Sequence, residues 1–201
     1  LGTGCGVVGL AYLLLKRNIC QGFGMDCNPE LIAAAQNNTA KLGFSDRFAL
    51  HTGELADTRF LENLRMEASP VQLVMANPPW RLVGSGRLPA PEARQKALFG
   101  DKGTFPLFAS AASSLLEEDG RFACIISPDR LQDMLAALDG AGLTPYLLQY
   151  IHKQKTSPAT FVLIEARKGA HAKPSVAEPI ALYGPERFFT LESLAFCPFL
   201  R

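Results

Sequence analysis

Two short stretches of this chain combine residue types that bind and react. Leu1-Gly2-Thr3-Gly4-Cys5-Gly6 places glycine at alternate positions directly ahead of an apolar run with helical spacing. Glycines spaced in this way let the backbone turn tightly and approach a ligand with no Cβ in the way. The helix that follows adds free N–H groups and the positive end of its dipole. Twenty residues after Gly6, at the end of the next strand-like run, stands Asp26. A carboxylate there accepts both hydroxyls of a ribose. Together the glycine loop and the acid specify a nucleoside-containing cofactor without saying which one. Gly4, Gly6 and Gly9 also satisfy the dinucleotide pattern GxGxxG, with Asp26 near its usual spacing.

The second stretch is Asn77-Pro78-Pro79-Trp80. It follows the apolar run Val71 to Ala76, and so lies at the C-terminal edge of the sheet, where open α/β folds bind ligands. Two successive prolines stiffen the turn and have no N–H, which leaves carbonyls to accept. The Asn side-chain oxygen is a further acceptor. Together they hold a planar amino group by its two hydrogens and aim its lone pair outward. The Trp offers a flat face on which a base stacks, worth roughly 1–3 kcal/mol.

The elements that position these residues alternate. Helices are expected over Gly6–Arg17, Asn28–Leu42 (capped by Asn28 and stopped at Gly43), Asp57–Glu67, Thr104–Glu117 and Pro128–Leu138. Strands are expected over Gln21–Asp26, Arg47–Thr52, Val71–Ala76, Arg121–Ser127, Pro145–His152 and Thr160–Ala166. One more is expected over Pro179–Tyr183. Arg81 to Gly103 shows no period and reads as a long loop, a length that is usually functional or disordered. Alternating strands and helices imply a parallel sheet with helices on both faces. Only seven residues, 153–159, separate the last two main strands. A parallel crossover needs a dozen or more, so this pair must be an antiparallel hairpin.

LGTGCG, Asp26 and NPPW, in this order, resemble the motifs of class I S-adenosylmethionine-dependent methyltransferases that act on exocyclic or amide nitrogen. In that group (N/D)PP(Y/F/W) marks methylation of adenine N6, guanine N2 or glutamine N5. The chain as a whole is most similar to the bacterial tRNA(Val) adenine-N6 methyltransferase family and its "methyltransferase small" relatives, over roughly Leu1 to Gly169. The likeness includes Ala93-Arg94 and the hairpin ending Ala159-Thr160-Phe161-Val162-Leu163-Ile164-Glu165-Ala166. It implies a Rossmann-like doubly wound, mostly parallel sheet with an antiparallel last strand, and S-adenosylmethionine as cofactor. Gly2, Thr3, Gly4 and Gly6 would line its methionine moiety and Asp26, with Cys27, its ribose. Glu54 and Leu55 would lie near its adenine. Asn77, Pro78, Pro79 and Trp80 would hold the target base. Trp80 stands where Tyr or Phe is commoner. The resemblance further implies that the family's first, central strand and its acid lie ahead of Leu1. The segment would then be a methyltransferase domain over 1–169 that lacks this strand and folds poorly alone, with an unassigned tail over 170–201.

Composition sets the outer bounds. The chain has 201 residues, 48% hydrophobic and 19% charged, enough apolar material for one core. No apolar run reaches the roughly 18 residues of a membrane span. Lys plus Arg (20) nearly balances Asp plus Glu (19), which excludes a uniformly basic nucleic-acid binder but not local patches. Arg81–Lys102 carries five basic and two acidic residues, and Ile151–Lys173 five basic and one acidic. Arg81, Arg87, Arg94, Lys96, Lys153 and Lys155 would form a basic collar around the site, suited to RNA phosphates. His152 reads as a strand-end surface residue. The five cysteines contain no CxxC pair, so no metal site is expected, and they read as reduced, buried thiols. The leading expectation is a monomeric, cytoplasmic enzyme methylating adenine N6 in tRNA or another structured RNA. The alternatives are glutamine N5 methylation in a protein such as a release factor, and guanine N2 methylation in ribosomal RNA.

Overall fold

The computed structural model describes residues 1–16, 21–68, 70–82, 99–169, 173–186 and 188–196. The helices are α1 (Val7–Leu15), α2 (Pro29–Lys41), α3 (Thr58–Ala68), α4 (Thr104–Leu115), α5 (Leu131–Gly140) and α6 (Leu191–Phe196). The strands are β1 (Gly22–Asp26), β2 (Phe48–Thr52), β3 (Leu73–Ala76), β4 (Arg81–Leu82), β5 (Phe99–Gly100), β6 (Arg121–Ile126), β7 (Leu143–His152), β8 (Ala159–Lys168), β9 (Ser175–Val176) and β10 (Ile180–Ala181).

β1 and β2 pair in parallel, and the order β10-β7-β8-β6-β3 forms a second sheet. β3 runs parallel to β6, while β8 is antiparallel to both β6 and β7, the pairing with β7 being what the short connection after His152 requires. β6 buries Phe122, Cys124 and Ile126, which stand opposite Ala166, Ile164 and Val162 of β8. Matched register puts both apolar sets on one face. There they meet Phe105, Ala109, Ala112 and Leu115 of α4 and Met134 and Leu138 of α5. Each large side chain so buried contributes roughly 1.5–3 kcal/mol. A smaller cluster joins Leu10 and Leu13 of α1 to Phe44 and Phe48. A Cβ on Gly9 would stand 2.5 Å from the Phe48 ring, so the third glycine of the loop pattern serves helix–strand packing.

Several boundaries differ from the sequence expectation for visible reasons. β3 starts at Leu73 because the carbonyls of Val71 and Gln72 accept from Glu117 and Arg121, ahead of the ladder. α4 stops at Leu115 because Leu116 turns extended and Glu117 N–H donates to Val71. The helix expected from Pro128 opens as a single 3-10 turn, Pro128–Arg130, before α5. α2 keeps its expected ends: Asn28 Oδ1 accepts from Glu30 N–H at 2.9 Å, and Gly43 is left-handed at φ 72°. The long loop is bounded by the short parallel pair β4–β5, while residues 83–98 lie outside the described residues. Within the tail, β9 and β10 both pair in parallel with β7, so this segment extends the sheet.

A cleft of about 900 Å³ separates β1 from β3 and is lined by residues of both strands. Leu1 bridges it at one end: its N–H donates to Met75 O at 2.8 Å, and Thr3 N–H donates to Met25 O at 2.8 Å.

Candidate active site

The glycine loop leaves Leu1 and enters α1 through three left-handed residues, Gly2 (φ 59°), Gly4 (φ 55°) and Gly6 (φ 87°). L side chains rarely adopt this region, which explains glycine at alternate positions. Gly6 is the N-cap of α1, whose first turn carries no acid. A Cβ on Gly4 would meet nothing within 4 Å, so the loop presents bare backbone to open space. Gly2 lies against α4, where a Cβ would come 3.3 Å from Phe108.

Asp26 fixes this loop. Its Oδ2 accepts from Gly4 N–H at 2.9 Å and its Oδ1 from Asn28 N–H at 3.0 Å. One carboxylate thus joins the glycine loop to the start of α2, and each oxygen keeps a further lone pair. Gly53 N–H donates to the Asp26 carbonyl at 3.1 Å, so Glu54 and Leu55 follow directly beyond the end of β1. Glu54 is exposed, while Leu55 packs on the core. Cys27 is exposed, as is Cys5. This corrects the expectation of buried thiols: Cys5 sits in the glycine loop and Cys27 directly after β1, and of the described cysteines only Cys124, inside β6, is buried, its pKa raised to about 12 by desolvation.

Asn77 to Trp80 leaves the C-terminal end of β3. Asn77 is exposed, Pro78 is buried, and Pro79 and Trp80 are half-buried. The Leu1–Met75 bond brings the glycine loop beside this turn, and Gly2 and Asn77 line the same cleft. The Trp80 ring meets Phe161 of β8 edge-on, with centroids 5.9 Å apart. β7 runs parallel to β3 and β6 through the shared antiparallel β8, so the turn after His152 lies on the same edge. Lys153 and Lys155 are exposed on it. His152 Nδ1 lies 2.7 Å from Ser157 O and closes that turn. The tail holds it from outside, as Leu182 and Tyr183 N–H donate to the carbonyls of His152 and Lys153. Of the remaining collar, Arg81 has only its backbone described, in β4, and Arg87, Arg94 and Lys96 lie outside the described residues.

Sequence reasoning missed Phe108 and Gly100. Gly100 packs under the turn, where a Cβ would stand 2.6 Å from Pro79 O and 2.7 Å from Thr104 Oγ1. The Asp101-Lys102-Gly103-Thr104 helix entry was the available signal: Asp101 Oδ1 accepts from Gly103 N–H and Thr104 Oγ1. Gly100→Ala should cost about 1–3 kcal/mol through overpacking against backbone. Thermal unfolding should show it as a lower Tm. Among the described residues no group of three or more His, Cys, Asp or Glu could hold a metal, and no helix is long and apolar enough to cross a membrane.

No family model matches the chain. Among solved structures it is similar to a predicted O-methyltransferase from Agrobacterium tumefaciens, with TM-score 0.73 and 20% identity over 100% of this chain and 85% of that one. It is also similar to the geranyl diphosphate C-methyltransferase of Streptomyces coelicolor, which was solved with S-adenosyl-L-homocysteine. There the TM-score is 0.53 at 11% identity, over 83% of this chain and 68% of that one. The chain therefore has the class I S-adenosylmethionine-dependent methyltransferase fold, a mixed α/β sheet whose strands are mostly parallel. In sequence it resembles the tRNA1(Val) (adenine(37)-N6)-methyltransferases of two Porphyromonas gingivalis strains, at 33% and 32% identity over 138 residues. That match takes in 67% of this chain and 51% of each relative, so the chain spans about half the length of the curated relatives it matches.

Proposed function

We propose that this chain carries the catalytic core of an S-adenosylmethionine-dependent N-methyltransferase acting on adenine N6 of a structured RNA, with tRNA favoured. The observation that carries this reading is the turn Asn77-Pro78-Pro79-Trp80 set beside the glycine loop by the Leu1–Met75 bond, with Gly2 and Asn77 lining one cleft. The fold alone leaves the acceptor open, since O- and C-methyltransferases share it. The turn supplies acceptor oxygens and a flat ring, the set that an aromatic amine needs.

The residues present suit the cofactor. The bare backbone at Gly4 leaves room for it, and the Asp26 carboxylate beside the loop has lone pairs for two ribose hydroxyls. Bound, S-adenosylmethionine supplies a methyl activated on a sulfonium. Asn77 and a proline carbonyl hold the two amino hydrogens and aim the nitrogen lone pair, so catalysis is mainly orientation. Trp80 stacks on the base. Methylation would form the N–C bond as the sulfonium S–C bond breaks, leaving a neutral thioether, and the positively charged nitrogen would pass its proton to water without a strong base. Exposed Lys153 and Lys155 face RNA phosphates, so binding weakens with salt. The cleft also fits the reading: Leu1 and Thr3 already bond to β3 and β1, and an extended segment between them would pair with both edges.

The test is incubation with methyl-labelled S-adenosylmethionine and, in separate reactions, bulk tRNA, ribosomal RNA and a release factor, followed by nucleoside analysis of the RNA and amino-acid analysis of the protein. Label in N6-methyladenosine is the expected result. Label only in N2-methylguanosine, or only in protein glutamine, would replace it with one of the other two acceptors.

A further inference from the structure

Arg130 is 3% exposed, one of three buried polar or charged residues among those described. A guanidinium removed from water is costly unless its donors are met. Each part of this one meets a different element. Nε donates to Asp133 Oδ2 of α5 at 2.7 Å. Nη1 donates to the carbonyl of Trp80 at 3.0 Å, fifty residues away in sequence. The guanidinium carbon lies 4.5 Å from the centroid of the Phe105 ring of α4.

The Trp80 bond is the one with consequences for the site. β3 fixes the entry to the proline turn, through Ala76 paired with Cys124 of β6. Pro78 is buried, which fixes its middle. The exit needs its own anchor, and a charge-assisted bond to the last carbonyl of the motif supplies one. Phe161 then meets the Trp80 ring edge-on.

We infer that Arg130 is a positioning residue for the acceptor site, holding the exit of the Asn77–Trp80 turn so that Trp80 presents its face to the incoming base. This deepens the proposed function and rests on its assignment of that turn. Arg130 touches neither base nor cofactor in this scheme and acts through Trp80. A planar fork fixes two donors in the directions of Asp133 and Trp80, whereas a lysine ammonium is a compact charge whose three donors rotate on a flexible stem and hold neither direction.

Trp80 is the only tryptophan in the chain, so its emission reports the turn directly, with or without methyl transfer. Arg130→Met should keep the native far-UV circular dichroism while the Trp80 emission maximum shifts and acrylamide quenching rises. Turnover on RNA should fall roughly 10²-fold with KM for S-adenosylmethionine unchanged, and Arg130→Lys should recover part of both losses. A folded Arg130→Met protein with native Trp80 emission and quenching overturns the inference. Should that variant not fold, Asp133→Asn, at a largely exposed carboxylate, is read in the same way: a smaller shift in the same direction supports it and a native signal overturns it. If the native protein methylates no RNA, the function reading fails, while the fluorescence still decides the role of Arg130.

Discussion

Replacing Asn77 by Ala lowers the turnover of methyl transfer roughly 10²–10³-fold, the scale seen when one preorganised polar group is removed from a reacting centre. The same change leaves cofactor affinity nearly unaltered. The asymmetry follows from where the side chain stands. Asn77 is exposed at the mouth of the cleft, and the residue behind it, Pro78, is buried and gives the turn a rigid base. The prolines offer no N–H, so the middle of the motif presents acceptors alone. Removing the Asn oxygen leaves the amine with one acceptor where two set its direction. It then rotates, and the lone pair leaves the line of attack. That loss belongs to the transition state more than to the bound ground state, so it appears in kcat. Single-turnover methylation alongside calorimetric titration of S-adenosylmethionine separates the two effects. Asn77→Asp keeps an acceptor and should recover part of the rate. An Ala variant with native turnover would end the acceptor role proposed for this turn.

What the sequence made legible is what local chemistry dictates. Alternate glycines announced a tightly turning backbone, and Gly2, Gly4 and Gly6 make that turn in the left-handed region. Asn28-Pro29 announced a capped helix, and the cap bond is there. The seven residues after His152 required a hairpin, and β7 and β8 form one. What stayed hidden depends on contacts between distant segments. Nothing near Arg130 says that its guanidinium reaches Trp80, or near Gly100 that Pro79 O lies against it. In the tail, the strand expected over Pro179–Tyr183 is present as the two-residue β10, while β9 went unseen because a two-residue strand shows no period and exists through its bonds to β7. Asp26 was legible as an acid suited to a ribose. Its duty as the staple of the loop was not, because the Gly4 and Asn28 amides converge on it only after the loop has folded.

That double duty makes Asp26→Asn the other large effect, on binding and stability where Asn77 acts on rate. The carboxylate accepts one backbone N–H on each oxygen. An amide keeps one oxygen and turns an NH2 toward the other donor, which is left unsatisfied. Hydrogen bonds to a charged acceptor contribute about 1.5–3 kcal/mol each, so the fold loses about 3 kcal/mol. In a chain of this length that lowers Tm by roughly 6–12 °C. Cofactor binding loses the ribose acceptor as well as the ordered loop. A comparable loss there raises Kd roughly 10²-fold. If Asp26→Asn lowers Tm but binds cofactor as the native protein does, Asp26 is a staple of the loop alone. If affinity falls with Tm, the same carboxylate both shapes the loop and holds the ribose.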